Sequence, residues 1–438
     1  MSPTDAKRSP TECSPSRPVA MPAEFSATLP ADAGFTAPIL MLTGICALVY
    51  FLDGLIHSIL GPLAPEIARS LHLSKAQLGP IFSANLGGQC IGLVVFPLLA
   101  ARAGQRAIVL ICLAGFGLAQ SATALSGSAA ELIVWRMITG VFLGGCLPSC
   151  LALVVAAAPA RRRGLAIMIL FTGYGLGATV AGLVAAAFSG LGGWRAAMVA
   201  VGGVCIVAAI FAGLRLRETP SNKSGAAQTT AATRAGPGAL LILSPRYIVG
   251  TLMLWLLFIF MLTISYCLNS WLPTMLVEVG RSERFAAMAV AVFSFGGIVA
   301  ALFVGILIDR LGAMRTLLSL LAMSTVLLFI IGQVLASASA AMLMALLVAC
   351  GFFVLSAYGG VNVVLASFYP DSLRAIGIGW AKSVGRFGTL VAPMLIGAGL
   401  SAGIAETTIM SLFAIPAGLA ALSLMVISQK LAFMPTVK

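Results

Sequence analysis

The sequence contains very little charge. Aspartate, glutamate, lysine and arginine make up 9% of the 438 residues, 60% are hydrophobic, and the mean hydropathy is +1.07. A soluble domain covers its surface with about 25% charged residues. A water-soluble fold of this composition would expose large apolar patches, and a disordered chain would leave the same side chains in water. The composition therefore excludes both classes and predicts an integral membrane protein.

Histidine is almost absent, and the cysteines form no recognisable framework. The chain has 2 histidines and 9 cysteines, and eight of the cysteines lie inside apolar runs, where they behave as small hydrophobic side chains. Cys146 and Cys150 are one helical turn apart, but no histidine or carboxylate accompanies them. We expect no disulfide framework, no metal site, no cofactor and no catalytic cluster.

The few charges are predominantly basic. The chain has 26 basic and 13 acidic residues, a formal net charge of +13. In a soluble protein this excess would suggest a nucleic-acid partner. Here the basic residues cluster in short loops between apolar runs, which is typical of loops that orient a membrane protein. The expected surroundings are therefore the lipid bilayer, without nucleic acid.

Long apolar runs dominate the chain. A bilayer-spanning helix needs about 20 residues, and twelve runs reach that length, the first at about 37–61 and the last at about 404–428. They fall into two groups of six, which predicts an all-α membrane fold. The expected divisions are a disordered cytoplasmic tail (1–35), a first half (36–216), a cytoplasmic linker (217–246), a second half (247–429) and a cytoplasmic tail (430–438).

The loops on one side of the predicted bundle carry most of the positive charge. The other side is nearly balanced in sign. Because loops rich in lysine and arginine stay in the cytoplasm, both termini are expected there. The residues that set this orientation are Arg102, Arg106, Arg161, Arg162, Arg163, Arg310, Arg315 and Arg374.

The two halves repeat each other. Arg102 and Gly104 follow the second run, and Arg310 and Gly312 follow the eighth, 208 positions later. A Pro-to-Arg segment follows both the fourth and the tenth runs, at 159–163 and 370–374, 211 positions apart. Two six-helix halves related by a repeat are typical of transporters that hold substrate between the halves at mid-membrane.

Specific motifs extend this similarity. The loop 305–315 reads G-x-x-x-D-R-x-G-x-x-R, and 136–148 reads R-M-I-T-G-x-x-x-G-G-x-x-P. The segments 53–54, 78–83, 270–273 and 369–388 also match, in order and on the corresponding helices. Together they resemble the aromatic acid/proton symporters of the major facilitator superfamily. The resemblance implies alternating access, a small carboxylate substrate, protons as coupling ions, a monomer and a bacterial inner-membrane location.

Two positions depart from that family pattern. The family motif D-G-x-D in the first helix ends here at Ile56 instead of a second acid, and Ala101 replaces the aspartate of the first-half loop. The first change bears on proton coupling, and the second weakens the first-half gate.

Two titratable residues share one face of the first helix. Asp53 and His57 are four positions apart, and a charge in the bilayer core requires a partner or a function. A desolvated carboxyl and a histidine are residue types that carry protons, so both are assigned to proton coupling. The alternatives are a structural ion pair of Asp53 with Arg136, and a packing or water-facing role for His57.

The eleventh helix carries a cation expected at mid-membrane. Arg386 lies about 18 Å along a helix from Arg374, and its rigid fork suits a carboxylate substrate; the alternative is a bond to Asp53 or a backbone carbonyl. Lys382, one turn away, either joins the site or extends toward the cytoplasm. Arg136 is assigned to the same substrate site.

The remaining polar residues of the predicted spans divide between binding and gating. Asn85, Gln89, Tyr266, Asn269 and Asn362 are expected at the substrate site, with hydrogen bonds between helices as the alternative for each. An aspartate at a helix end that bonds an arginine can hold one conformation and release in another. The residues assigned to such gating are Asp309, Arg310, Arg315 and Arg374.

The leading hypothesis is proton-coupled uptake of a small, aromatic carboxylic acid. The alternative within transport is an efflux antiporter for drugs or a non-aromatic organic anion, suggested by Ile56 and Ala101. A membrane enzyme would need a cluster of nucleophiles, bases or metal ligands, and a sensor would need a soluble output domain. The sequence has neither.

Overall fold

The computed structural model describes residues 37–159, 162–216 and 241–433. The expected N-terminal tail, Arg161, most of the linker and the last five residues lie outside these ranges. The first half consists of α1 (Ala37–Ser70), α2 (Lys75–Ala103), α3 (Gln105–Thr123), α4 (Ala129–Ala157), α5 (Arg163–Phe188) and α6 (Gly193–Arg215). The second consists of α7 (Ile248–Glu278), α8 (Glu283–Leu311), α9 (Ala313–Val334), α10 (Ala340–Phe368), α11 (Asp371–Ser401), α12 (Glu406–Leu412) and α13 (Ala414–Phe433).

Twelve stretches of the described chain are long and apolar enough to cross a membrane, the last of them formed by α12 and α13 together. The predicted all-α fold with twelve spans is confirmed. The break between α12 and α13 lies at Phe413. Pro416 lacks the amide hydrogen that would bond the carbonyl of Leu412, which accounts for the interruption.

Helix α1 is longer than its apolar run suggested. It continues through Pro62 and Pro65 to Ser70 instead of ending near residue 61. Each proline removes one helical hydrogen bond, but Leu63 and Ile67 in the extension are buried against neighbouring helices. Tertiary packing therefore stabilises the helix beyond the two prolines.

The internal repeat extends to backbone geometry. Gly104 and Gly312, 208 positions apart, end α2 and α8 with the same positive φ of 84°. The turns before α2 and α8 also match: His72 and Gly280 both have positive φ, at 52° and 88°. A side chain rarely adopts this conformation, so His72 occupies a turn geometry that glycine provides in the second half.

Helix contacts inside each half follow the same repeat. Gly140 of α4 packs so closely on α2 that a Cβ atom would overlap the backbone carbonyl of Asn85. The equivalent Gly351 of α10 packs in the same way on the carbonyl of Phe293 in α8. Small residues at such crossings let helices approach in a membrane, where dispersion contacts supply much of the association energy.

Candidate functional site

The halves contact each other toward one end of the bundle. We name the end formed by the turns 71–74, 189–192, 279–282 and 402–405 the closed end. The opposite end, with the turns at 104, 312 and 369–370 and with the described residues 158, 159 and 162, is the open end. Near the closed end Lys75 bonds Glu278 at 2.9 Å and Glu406 at 3.3 Å, and Arg69 pairs with Glu283. All three ion pairs join the first half to the second.

Helix packing between the halves is likewise concentrated toward the closed end. It joins α1 to α7, α2 to α11 and α5 to α8, and Gly79 packs on Pro393 while Gly182 packs on Ala287 and Ala291, all near the closed end. The extensive packing of α4 and α10 is with helices of their own half. The described contacts between the halves are therefore concentrated near the closed end, and we name the region between the halves on the open-end side of these contacts the cavity.

Asp53 lies in the wall of this cavity, in the middle of α1. Its side chain is buried, at 5% exposure, and its Oδ1 has no hydrogen-bond partner among the described residues. Two tyrosines lie beside it: Tyr50, one turn earlier on α1, and Tyr174 of α5, whose rings are 5.3 Å apart. The carboxyl group is thus removed from water without the hydrogen bonds that usually compensate burial.

His57 takes part in a polar and aromatic group one turn further along α1. Its Nδ1 lies 3.0 Å from Nε2 of Gln89 on α2, and its ring meets the ring of Tyr266 edge-on at 5.1 Å and that of Tyr174 at 5.9 Å. The residue is half-buried. Two predicted site residues on different helices, His57 and Gln89, are thereby brought into direct contact.

Arg136 is fully buried and bonded within the first half. Its Nη1 donates to Oε1 of Gln120 at 2.8 Å, and its Nη2 donates to the carbonyl oxygen of Ile56 at 3.2 Å. No ion pair joins it to Asp53 in the described chain, so the structural pair considered above is not formed. The partners of this guanidinium are neutral, and its charge remains available to act on the cavity.

Arg386 is the cation most closely associated with Asp53. It interacts electrostatically with Asp53, and with Tyr50, Tyr174 and Tyr358 around it. Its buried Nη1 has no hydrogen-bond partner among the described residues. A guanidinium with an unused donor beside a cavity can bind an anionic oxygen.

Lys382 lies one turn from Arg386, nearer the open end. The same face of α11 meets α2 further along, where Leu390 and Pro393 contact it. Lys382 itself is exposed, although it is in the middle of a spanning helix. Its ammonium group interacts electrostatically with Arg386 and adds to the positive charge there.

The predicted polar residues fall into two groups. Asn85 and Asn269 have buried amide atoms without partners in the described chain, both amide atoms in Asn85 and the oxygen in Asn269. Asn362 and Tyr266 are engaged: the Asn362 amide donates to the carbonyls of Tyr358 and Gly359 at 3.2 Å, and the Tyr266 hydroxyl donates to the carbonyl of Phe82 at 3.0 Å. The first group has unused hydrogen-bonding capacity, whereas the second is bonded to protein.

The residues predicted to act in gating lie at the open end. Arg310 and Arg315 flank the Gly312 turn and are exposed, and Arg374 lies in the first turn of α11. Asp309 is in the last turn of α8, but its side chain lies outside the part of the chain that the structure describes. The turn geometry is identical at Gly104, where Ala101 replaces the acid.

Sequence reasoning missed the two tyrosines that surround Asp53. Tyr50 precedes Asp53 by three residues and therefore shares its helix face, a signal that was present in the sequence. Tyr174 is between two glycines of α5, and only the packing of α5 on α1 brings it to the site. Together with Tyr266, these residues give the cavity an aromatic lining suited to a flat, apolar ring with polar substituents.

The described residues hold no group of three or more histidine, cysteine or carboxylate side chains arranged for a metal. Eight cysteines are described, all of them free, and seven are buried. The site thus consists of one carboxyl group, cations, amides and aromatic rings.

Comparison with known proteins agrees with this architecture. The sequence model of the Major Facilitator Superfamily matches residues 46–282 and 254–434. Among curated relatives, the gallate transporter of Pseudomonas putida is 30% identical, over 87% of this chain and 90% of its own. The 4-hydroxybenzoate transporter PcaK of Acinetobacter baylyi is also 30% identical, over 87% and 89%. The 3-(3-hydroxy-phenyl)propionate transporter of Escherichia coli is 36% identical, over 88% and 94%.

Solved structures share the fold at lower identity. A bacterial homologue of the human lysosomal transporter Spinster, in an inward-facing and occupied conformation, superposes with a TM-score of 0.71 at 18% identity over 92% of this chain and 100% of its own. The D-xylose-proton symporter superposes with a TM-score of 0.64 at 15% identity, over 89% and 97%.

Proposed function

The chain belongs to the major facilitator superfamily, and we propose that it imports a small aromatic carboxylic acid together with protons by alternating access. It is an integral membrane transporter related to aromatic acid transporters, and not an enzyme. The observation that carries the proposal is the electrostatic interaction of Arg386 with Asp53 in an aromatic region between the halves, where Nη1 of Arg386 and Oδ1 of Asp53 are buried without a hydrogen-bond partner among the described residues.

Substrate binding follows from the charges of the cavity. Arg386 receives the substrate carboxylate, and the aromatic rings of Tyr50, Tyr174 and Tyr266 pack on the substrate ring. Asn85, Gln89, Asn269 and Asn362 offer amides to polar substituents, and Arg136 and Lys382 contribute positive charge. An incoming carboxylate loses its hydration shell, and a fixed cation with a free donor replaces it.

Proton coupling follows from the environment of Asp53. A buried carboxyl group that interacts with a nearby cation changes its proton affinity when that cation binds substrate. Arg386 is shared between Asp53 and the substrate, so the arrival of a carboxylate and the arrival of a proton favour each other. His57, bonded to Gln89, is the second proton carrier.

Orientation follows from the distribution of charge. The open end carries Arg102, Arg106, Arg310, Arg315 and Arg374, so it faces the cytoplasm of a bacterial inner membrane, with both termini on that side. In this orientation the described conformation is closed to the outside and open to the inside. The transporter is expected to act as a monomer.

Reconstituted protein tests the proposal. Proteoliposomes with an imposed inward proton gradient should accumulate labelled 4-hydroxybenzoate above the external concentration, and a protonophore should abolish accumulation. Liposomes that instead lose preloaded acid when protons enter would favour the efflux antiporter, which the substitution of Ile56 for the family's second acid also suggests. Movement of the acid in neither direction would reject an aromatic carboxylate as substrate.

A further inference from the structure

One turn of α2 is bonded to the other half at two points. The Tyr266 hydroxyl of α7 donates to the carbonyl of Phe82 at 3.0 Å, and the hydroxyl of the next residue, Ser83, donates to the carbonyl of Leu390 on α11 at 2.7 Å. The ring of Phe82 also meets Trp271 of α7 edge-on at 5.2 Å. Residues 82–83 are therefore held between two helices of the second half.

Both bonds depend on the closed end being closed. Each pairs a single side-chain hydroxyl with a backbone carbonyl of the opposite half, so separation of α2 from α7 and α11 breaks both. A contact present in one state alone shifts the equilibrium by the whole of its net stabilisation. The two hydroxyls stabilise the described conformation and contribute nothing of this kind once the closed end opens.

Tyr266 also faces the cavity. Its ring lies 5.1 Å from the ring of His57, edge-on, and His57 is bonded to Gln89. A ligand or proton that moves His57 therefore moves the ring whose hydroxyl bonds α2. Within the described ranges, Ser83 makes no contact of this kind with the proposed site, and it serves as the second point of attachment.

We propose that Tyr266 and Ser83 form a two-point hydrogen-bond latch that holds the closed end shut, and that Tyr266 transmits the state of the central cavity to this latch. The inference rests on the proposed transport function, because a latch between halves matters only if the halves separate. It gives the Tyr266 hydroxyl a positioning role in place of the direct hydrogen bond to substrate expected from the sequence, and it leaves the Tyr266 ring to pack on the substrate.

The latch can be tested by removing one hydroxyl at a time. Spin labels at Leu191→Cys and Ala402→Cys, two exposed positions at the closed end in opposite halves, report the separation of that end by electron–electron double resonance. Purified protein in nanodiscs is used without substrate, in a background lacking Cys13 and Cys90. Tyr266→Phe and Ser83→Ala should each lower the ratio of closed to open populations about three- to tenfold.

Matched controls remove hydroxyls that do not join the halves. Tyr369→Phe deletes a bond to Thr251 within the second half, and Ser324→Ala deletes a bond to its own helix; both should leave the distance distribution unchanged. Unchanged distributions in Tyr266→Phe and Ser83→Ala would overturn the latch. So would a large loss of 4-hydroxybenzoate affinity in Tyr266→Phe without a population shift, since Tyr266 would then be a ligand contact.

Transport measurements separate this inference from the proposed function. If the unaltered protein moves no aromatic acid but both variants shift the distances, the proposed substrate is wrong and the latch stands. If uptake proceeds and neither variant shifts the distances, the proposed function stands and the latch is wrong.

Discussion

Two arginines of the spanning helices, the buried Arg136 and the half-buried Arg386, show how one residue type serves different purposes. Both Nη atoms of Arg136 are bonded inside the first half, to Gln120 and to the Ile56 carbonyl. Arg386 has a buried Nη1 without a partner in the described chain and interacts electrostatically with Asp53. The first guanidinium organises a helix bundle, whereas the second has capacity left for a ligand.

Asp53→Asn should abolish accumulation driven by a proton gradient. The amide keeps the size of the side chain but neither binds a proton nor carries charge, so substrate exchange between preloaded and external pools should survive. Uptake with and without an imposed gradient measures the difference. Glu66→Gln is the control, because Glu66 is on the same helix and bonds the backbone of Trp194. Accumulation that persists in Asp53→Asn would contradict the assignment of proton coupling to Asp53 and would favour His57 instead.

Arg386→Lys should raise the apparent KM tenfold or more. A charge-assisted hydrogen bond contributes about 1.5–3 kcal/mol, and the ammonium group does not reproduce the bidentate fork. Arg386→Ala should raise the apparent KM further, because Asp53 or the substrate then lacks a cation. The same changes at Arg374 should lower expression or maximal rate instead. Unaltered affinity for 4-hydroxybenzoate in purified Arg386→Ala would contradict the assignment.

Gln120→Leu should destabilise the fold without changing the proposed substrate site. It leaves Nη1 of the fully buried Arg136 unpaired, which costs about 1–3 kcal/mol or more for a charged donor. A lower midpoint of thermal unfolding in detergent should report this loss. Gln333→Leu removes an exposed glutamine bonded to Ser411 and should change the midpoint little; equal midpoints for both variants would contradict a structural role for Arg136.

At the scale of elements, the two loops at the open end have one geometry and different chemistry. The Gly104 and Gly312 turns share a φ of 84°, but an acid precedes only the second, with Ala101 in the first. The loop 309–315 is therefore expected to carry most of the locking at this end.

Asp309→Asn should impair transport at matched expression, whereas Ala101→Asp should be tolerated. The first change removes the charge that can bond an arginine across the loop, and the second places a carboxylate on an exposed side chain, where it stays in water. Initial uptake rates normalised to protein in the membrane provide the measurement. Equal tolerance of both changes would leave the asymmetry between the loops without functional meaning.

At the scale of the whole molecule, the ion pairs of Arg69 and Lys75, the latch and the helix packing all join the halves near the closed end. Each polar contact contributes little, because partly exposed ion pairs are worth about 0–1 kcal/mol and hydrogen bonds about as much. Small individual contributions let the closed end open in the proposed alternating access without the loss of any single strong bond.

The proposed orientation predicts which end a reagent reaches from outside the cell. In the background lacking Cys13 and Cys90, Leu191→Cys at the closed end should react with a membrane-impermeant maleimide in intact cells. Leu311→Cys at the open end should react only after the membrane is permeabilised; both side chains are exposed. The reverse pattern would place the basic loops and both termini outside.

The sequence alone determined the class, the twelve spans and the repeat between the halves, and it predicted the charged residues of the site and loops. These features are local or additive. Apolar length identifies a span, loop charge predicts orientation, and a charged residue inside a span requires a partner or a function. The four-residue spacing of Asp53 and His57 is enough to place them on one face of α1.

The tertiary structure alone decided the partners. Arg136 bonds Gln120 and Ile56 instead of Asp53, Tyr174 reaches Asp53 from α5, and Tyr266 bonds Phe82 across the halves. Which end is closed was equally invisible in the sequence. Such contacts depend on the rotation of each helix about its axis and on the position of one half relative to the other. Neither can be read from any single stretch of the chain.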